Sequence, residues 1–183
     1  MLKNVTTEGQ PPKREPRREP EVPVAPVVLD DRAQALSALL PDVLRDFDII
    51  EIGAAVDEVT LTVKPEDIPA VCRTVKDDPQ LALNYLRCLS VVDYSERLEV
   101  NYHLFSMKKR HKLVLKTSVS PDEPYVPTVI TVWRGADWFE REGHDLFGVV
   151  FQGHPNLAPL LLYDGFEGHP GLKSFPFHDY DEW

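Results

Sequence analysis

The side chains that could do chemistry are concentrated near the C-terminal end of the sequence. Imidazole and carboxylate groups are typical ligands of zinc or another divalent metal, and the candidates are His144, His154, His169 and His178 with Asp145, Asp164 and Glu167. Nine, fourteen and eight residues separate the successive histidines, which fits no ligand pattern, and the His-Pro pairs are typical of turns. No side chain is placed as a nucleophile beside a base. The sequence therefore predicts no catalytic, cofactor-binding or metal-binding residue, and a small metal-binding enzyme is the alternative.

The stretch from Trp138 to Pro176 contains most of these groups. It combines glycines, prolines and histidines with acidic and aromatic residues. Such a composition predicts turns, with almost no regular helix or strand, and it buries aromatic rings only against a folded body or a partner. We interpret the stretch as a docking surface first and a catalytic site second.

Composition favours a single soluble domain with tails. The chain has 183 residues, 43% of them hydrophobic, and a net charge of −10, which argues against a nucleic-acid-binding surface. No apolar run could cross a bilayer, and MLKNVTTEGQPPKREPRREP lacks the apolar core of a signal peptide, so a cytoplasmic chain is expected. Cys72 and Cys88 are isolated, and we expect reduced thiols, too few to hold an iron–sulfur cluster.

The N-terminal part differs from the rest. Residues 1–30 carry six prolines among alternating basic and acidic residues, which predicts a disordered, semi-extended Pro-rich arm. The arm could be a linker, a strap over a neighbour, or a disordered tail without a function. A free adaptor that recruits a peptide-binding domain through this arm is a second alternative.

The middle of the chain alternates between helical and strand periodicity. A helix is predicted from Asp31 to about Phe47, capped by Asp30 or Asp31. Two strands, IIEIGAAV and EVTLTVK, follow around a turn at residues 55–58. The segment PEDIPAVCRTVKDD then predicts a helix with Pro65 in its first turn.

The next elements complete the predicted fold. Leu81–Tyr94 predicts a short helix that turns into a strand, and LEVNYHLFSM and KLVLKTSVS predict strands joined by a solvated basic turn, Lys108–Lys112. After a loop, PDEPYVP, a short strand or turn enters a helix in TVITVWRGADWFERE. The order predicts an α+β fold with a mixed β-sheet covered by helices. We expect an arm (1–30), a scaffold domain (31–150) and an extended C-terminal docking segment (151–183).

A long ordered motif runs through the C-terminal part. It comprises Glu140-Arg141-Glu142-x-x-Asp145-Leu146-Phe147-Gly148, Phe151, Gly153-His154-Pro155-x-Leu157, Glu167-Gly168-His169-Pro170 and Lys173-x-Phe175-Pro176. With this motif the sequence resembles the C-type subunit of respiratory complex I, which is the 30 kDa-class subunit of NADH:quinone oxidoreductase. Leu86–Tyr94 resembles the family's segment ending in Val-Asp-Tyr, and the resemblance covers roughly residues 32–176.

The resemblance implies a non-catalytic structural subunit in the hydrophilic arm of a proton-translocating complex. Such a protein clamps the quinone-site (D-type) and iron–sulfur subunits while electrons pass from NADH to quinone. It implies no cofactor on this chain, FMN and iron–sulfur clusters in the parent complex, and a peripheral position on the cytoplasmic side of the cell membrane. The partner-interface residues it implies are Glu140, Arg141, Glu142, Asp145, Phe147, Phe151, His154, Pro155, Glu167, His169, Pro170, Lys173 and Phe175.

The residue types agree with docking. Arg141 lies between two glutamates and offers a planar fork to a carboxylate across an interface. Asp145 follows one helical turn later, where it could cap or pair. The aromatic residues Trp138, Phe139, Phe147 and Phe151 are of the kind that dominates contact energies. An ordinary solvated helix face is the alternative for the charged group.

The sequence departs from the family pattern at two places. Ala158-Pro159 stands where the family usually has an arginine pair, and Leu172 and Ser174 flank Lys173 where the family usually has arginine and aspartate. If those charges pair with a neighbouring subunit, the neighbour here must differ. The equivalent subunit of a hydrogenase- or ferredoxin-linked relative of complex I is therefore a further alternative.

Overall fold

The structure is a computed structural model that describes residues 28–176. The Pro-rich arm up to residue 27, the last seven residues and the candidate ligand His178 lie outside the described residues. The described elements, in chain order, are α1 (Asp31–Val43), β1 (Ile49–Ala55), β2 (Glu58–Val63), α2 (Ile68–Asp77), β3 (Tyr85–Asp93), β4 (Leu98–Phe105), β5 (Lys112–Val119), β6 (Tyr125–Pro127), α3 (Ala136–Phe147) and β7 (Val150–Gln152).

Five strands form a mixed sheet in the order β1-β2-β5-β4-β3. Strands β2 and β5 are parallel, and the other neighbouring pairs are antiparallel. Alternate residues such as Leu61, Tyr102 and Leu115 are fully buried on the face that the helices cover. The opposite face is open and carries mainly polar side chains, including Thr60, His103 and Lys116. The predicted α+β fold with a mixed sheet is confirmed.

Local signals begin the first two helices where the sequence predicts, but α1 ends at Val43 and does not extend to Phe47. The Asp30 carboxylate caps α1 by accepting from the N–H of Ala33 at 2.7 Å. Pro65 begins a short 3₁₀ turn, Pro65–Asp67, that leads directly into α2. The apolar stripe of α2 is fully buried: Ile68, Val71, Cys72 and Val75.

One helix prediction is wrong. The segment from Leu81 is a turn and irregular backbone, with no helix before β3. Asp78 ends α2 and accepts from the backbone N–H groups of Gln80 and Leu81, and Ala82 has a positive φ of 47°. The N–H of Leu83 then bonds back to Val75 O at 3.0 Å. Leu81 and Leu83 are apolar because both are buried in the core with no exposed area, not because they lie on one face of a helix.

Two short strands were not predicted. Residues 125–127, expected in a loop, form β6, which pairs in parallel with β7 from the stretch that was expected to lack regular structure. That stretch also begins inside α3, so helix covers more of it than its composition suggests. The N–H of Thr128 continues the pairing by donating to Gln152 O at 2.9 Å.

Helix α3 packs closely on β3. A β-carbon added at Gly143 would lie 3.0 Å from Val91 Cγ2 and 3.3 Å from the Phe151 ring, so a larger residue would require these side chains to shift. The helix ends at Gly148, which has a positive φ of 75°. The backbone therefore turns sharply toward β7, and the following segment can return along α3.

Candidate docking interface

Glu140 lies at the centre of the motif and has no exposed area. Its carboxylate accepts from the Thr128 hydroxyl at 2.5 Å and from the N–H of Val129 at 2.7 Å. Burial raises the pKa of Glu140 to about 7, although these two hydrogen bonds oppose the rise. Glu140 therefore holds the loop after β6 on α3 and does not face outward.

His154 begins the C-terminal segment and points back to the same helix. Its Nε2 atom lies 3.4 Å from Asp137 Oδ1 and 3.9 Å from Glu140 Oε2, and its side chain has no exposed area. The other ring nitrogen, Nδ1, accepts from the N–H of Asn156 at 3.1 Å. His154 is thus part of the internal polar contact between α3 and the turn after β7.

Arg141 uses its guanidinium fork within the chain. Nε donates to Ala158 O at 2.9 Å and Nη2 donates to Pro159 O at 2.8 Å. The acceptors are backbone carbonyls, so this contact does not depend on which side chains stand at positions 158 and 159. The departure from the family pattern at Ala158-Pro159 therefore leaves it intact.

Asp145 binds the backbone of the next residues in the same segment. One carboxylate oxygen, Oδ2, accepts from the N–H groups of Leu160, Leu161 and Leu162 at 3.1, 2.8 and 2.9 Å. Burial acts to raise the pKa of Asp145, but the three backbone hydrogen bonds outweigh it, and the pKa lies below its ordinary value. Arg141 and Asp145 lie one turn apart and hold residues 158–162 along one face of α3.

The end of the described chain returns to the C-terminus of α3 and to β3. His169 Nδ1 contacts Asp145 O at 3.0 Å, and the N–H of Gly171 donates to Leu146 O at 2.8 Å. The N–H of Lys173 then donates to Asp93 Oδ2 at 2.7 Å. The segment after β7 is therefore fixed to the scaffold at several separated points.

The predicted interface residues differ in exposure. Glu142, Pro155, Glu167 and Lys173 are exposed; Arg141, Phe147, His154, His169, Pro170 and Phe175 are intermediate. Glu140, Asp145 and Phe151 are buried, and Phe151 belongs to the core. The side chain of His154 also has no exposed area, although its backbone is accessible. A buried side chain cannot touch a rigidly docked partner, so these four residues shape the surface from within. These residues could contact a partner directly, as predicted, only if the segments that cover them moved away.

Three large apolar side chains are exposed on α3 and on the segment after β7. They are Trp138, Leu161 and Tyr163, with 66%, 59% and 71% of their areas accessible, and we call them the apolar patch. Trp138 lies on the helix face of Arg141 and Asp145, against which residues 158–162 lie. Neither Leu161 nor Tyr163 was among the predicted interface residues. The signal for them was the apolar run LLLY in a segment otherwise rich in glycine and proline.

Metal binding was the alternative for the histidines and acids. Among residues 28–176, no group of three or more histidine, cysteine, aspartate and glutamate side chains is arranged to hold a metal ion. His144 and His169 contact backbone carbonyls, Val149 O and Asp145 O, each at 3.0 Å. These rings are thus used in turns and helix-end contacts.

A comparison with protein families decides the classification. Residues 61–181 match the family described as "Respiratory-chain NADH dehydrogenase, 30 Kd subunit", which is more than half of the 183-residue chain. The chain belongs to this family. The resemblance predicted from the C-terminal motif is confirmed.

Members of the 30 kDa family from several bacteria are similar along most of this chain. The C-type subunit of the NADH-quinone oxidoreductase of Roseiflexus castenholzii is 41% identical over 144 residues, covering 77% of this chain and 80% of that protein. The corresponding protein of Coxiella burnetii is 38% identical over 159 residues, covering 68% of this chain and 70% of that protein. The similarity therefore extends over most of both proteins.

Solved structures support the fold. A trypsin-resistant fragment of Nqo5 is similar with a TM-score of 0.54 at 24% identity, over 66% of this chain and 98% of the fragment. A chain in the structure of the membrane-bound sulfane sulfur reductase, an archaeal respiratory membrane complex, has a TM-score of 0.65 at 23% identity, over 78% of this chain and 86% of that chain. In residues 28–176, no helix has the length and apolar character needed to traverse a bilayer.

Proposed function

We propose that this chain is a non-catalytic structural subunit in the peripheral arm of a proton-translocating NADH:quinone oxidoreductase. It holds the quinone-site (D-type) and iron–sulfur subunits in position while electrons pass from NADH to quinone. FMN and the iron–sulfur clusters belong to other subunits of the complex. Membership of the 30 kDa family and the names of its relatives support this proposal.

The observation that carries the docking role is the arrangement of the segment after β7. The side chains of Arg141 and Asp145 hydrogen-bond to the backbone of residues 158–162 and fix it on α3. A segment fixed in this way presents the apolar patch on a preformed surface, which lowers the entropic cost of binding. Large exposed aromatic residues of this kind contribute most of the energy in protein–protein interfaces.

The complex would place the chain on the cytoplasmic side of the cell membrane. The chain is acidic, with a net charge of −10, so direct attachment to anionic lipid headgroups is disfavoured. Membrane association is therefore indirect, through the partner subunits. In this position the chain fixes the relative positions of its neighbouring subunits, and these positions determine the distances between the redox centres.

The proposal is tested by affinity purification of the tagged chain from its native membranes in mild detergent. Recovery of a quinone-site subunit, iron–sulfur subunits and NADH-oxidising activity is the expected result. Recovery without the NADH-oxidising module would assign the chain to a hydrogenase- or ferredoxin-linked complex. A chain that purifies alone would refute the structural role.

Matched variants separate docking by the patch from docking by the N-terminal arm. Trp138→Ser and Tyr163→Ser should each reduce recovery of the partners, whereas Tyr85→Ser, at a side chain 51% exposed at the start of β3, should not. Deletion of residues 1–30 should leave most of the partners bound. The opposite pattern would support the free adaptor.

A further inference from the structure

Glu140 is a fully buried carboxyl group, and in the described part of the chain no lysine or arginine forms an ion pair with it. Among residues 28–176, its ion-pair contacts within 4 Å come from His154 alone, at 3.9 Å. Its other partners are the neutral Thr128 hydroxyl and the N–H of Val129. A buried carboxylate without a compensating cation is costly. This environment therefore favours the carboxyl group with a proton bound.

The contacts of His154 fix where its own proton lies. Because Nδ1 accepts from the N–H of Asn156, the neutral ring carries its proton on Nε2, the atom that faces Asp137 and Glu140. Nε2 is buried and has no hydrogen-bond partner among residues 28–176. Adding a second proton at Nδ1 would break the Asn156 contact.

Thr128 can stabilise either state of Glu140. Its hydroxyl donates to the charged carboxylate, as the 2.5 Å contact to Oε2 allows. When Glu140 is protonated, the hydroxyl can rotate and accept from the carboxyl O–H. Its oxygen also accepts from the N–H of Ile130 at 3.1 Å, which keeps the loop in place.

We propose that Glu140 is a proton-operated switch that sets how firmly the loop after β6 and the turn at His154 are held on α3. With the proton bound, Glu140 is neutral and the contact is tight. When the proton leaves to solvent, the carboxylates of Glu140 and Asp137, one helical turn apart, both face His154 without a cation between them. Their repulsion and the buried charge then loosen the contact.

Titratable groups from several elements surround Glu140. Asp137 lies on the same helix, His154 follows β7, and Cys72 of α2 and Tyr102 of β4 lie close enough to interact electrostatically. Burial raises the pKa of both the thiol and the phenol, so both stay neutral. Burial, opposed by Thr128 and Val129 and reinforced by Asp137, raises the pKa of Glu140 from 4.5 to about 7.

The raised pKa of Glu140 determines how the stability of this contact changes with pH. A carboxyl group whose pKa is higher in the folded than in the unfolded chain binds a proton more tightly when folded. The contribution of Glu140 to the stability of the folded chain is fully present below pH 4.5 and is lost as the pH rises to about 7. The contact should therefore be loose above neutral pH and tight in mild acid.

The first measurement is an NMR titration of the Glu140 carboxyl carbon in the full-length chain, with the signal assigned by comparison with Glu140→Gln. The second is the rate of amide hydrogen exchange at residues 128–130 and 153–156 across pH 5–8.5, corrected for the pH dependence of chemical exchange. The expected midpoint lies near pH 7, with exchange at least threefold faster above it. Thr128→Val should raise the midpoint because it removes a donor to the charged form. Asp137→Asn should lower it because it removes a neighbouring negative charge.

Controls make the test decisive. Glu142→Gln, exposed on the same helix, should leave both the midpoint and the exchange unchanged, whereas Glu140→Gln should remove the pH dependence of exchange. A midpoint below pH 5.5, a protonated Nδ1 on His154, or pH-independent exchange would overturn the proposal. If Glu140→Gln fails to fold, the opposite shifts of Thr128→Val and Asp137→Asn still decide it. The switch needs no partner protein, so its failure would not affect the docking proposal.

Discussion

The backbone N–H of Lys173 donates to Asp93 Oδ2 at 2.7 Å, and this bond joins positions 80 residues apart. Asp93 ends β3 and is 8% exposed, and its other oxygen accepts from the N–H of Ser95 at 2.6 Å. One carboxylate therefore ends a strand and holds the C-terminal segment. The segment that the sequence indicates as a docking surface is thus built into the scaffold.

Asp93→Ala should release the end of this segment. Loss of two hydrogen bonds to a charged, largely buried acceptor should lower the free energy of unfolding by about 2–4 kcal/mol. Limited proteolysis should also cut first near residues 170–176. Glu96→Ala, at an exposed position in the turn after β3, is the matched control. Equal stability of the two variants would show that the Lys173 contact contributes nothing.

Asp145→Asn should detach residues 160–162 from α3 while keeping the side chain's shape. An amide oxygen without charge accepts the three N–H groups more weakly, and we expect a loss of about 1–3 kcal/mol in the free energy of unfolding at pH 7. Chemical denaturation measures the loss, with exposed Asp164→Asn as the control.

The Asp145 effect should depend on pH in a defined direction. The folded pKa lies below the ordinary value of 3.8, so the stabilisation is present above that value and is lost as the pH falls through the folded pKa. The difference between wild type and Asp145→Asn should therefore shrink in acid. A difference that grows below pH 4 would contradict the role assigned to the charged carboxylate.

Gly148→Ala should destabilise the end of α3. The φ of 75° disfavours any residue with a side chain, and the added carbon would lie 2.8 Å from the His169 ring. We expect a loss of about 2–3 kcal/mol in the free energy of unfolding, measured by thermal or denaturant unfolding. Gly135→Ala is the matched control, because nothing lies within 4 Å of its added carbon and its φ is −66°. A Gly148→Ala protein as stable as Gly135→Ala would show that the turn adapts freely.

The fold was largely predictable because its signals are local. Asp30 begins α1 by capping, and alternation of apolar residues indicates β2, β4 and β5. The helix predicted from Leu81 is wrong because buried irregular backbone and a helix can give the same apolar spacing over a few residues. The family was recognisable from one ordered motif.

The partners of the motif residues could not be predicted from the sequence. Glu140 and Arg141 are adjacent in the chain, yet one is fully buried against Thr128 and the other reaches carbonyls at Ala158 and Pro159. Charge type alone suggested that both faced a partner. Their actual directions depend on how the chain turns at Gly148 and returns along α3, which only the three-dimensional structure shows.

We propose that the apolar patch contacts the quinone-site subunit in the assembled complex. A photo-crosslinking residue placed at Trp138 or Tyr163 should form a covalent product with the quinone-site subunit in intact membranes. The same probe at Tyr85, exposed at the other end of β3 from Asp93, should give no such product. Crosslinking from Tyr85 with none from Trp138 or Tyr163 would contradict the account.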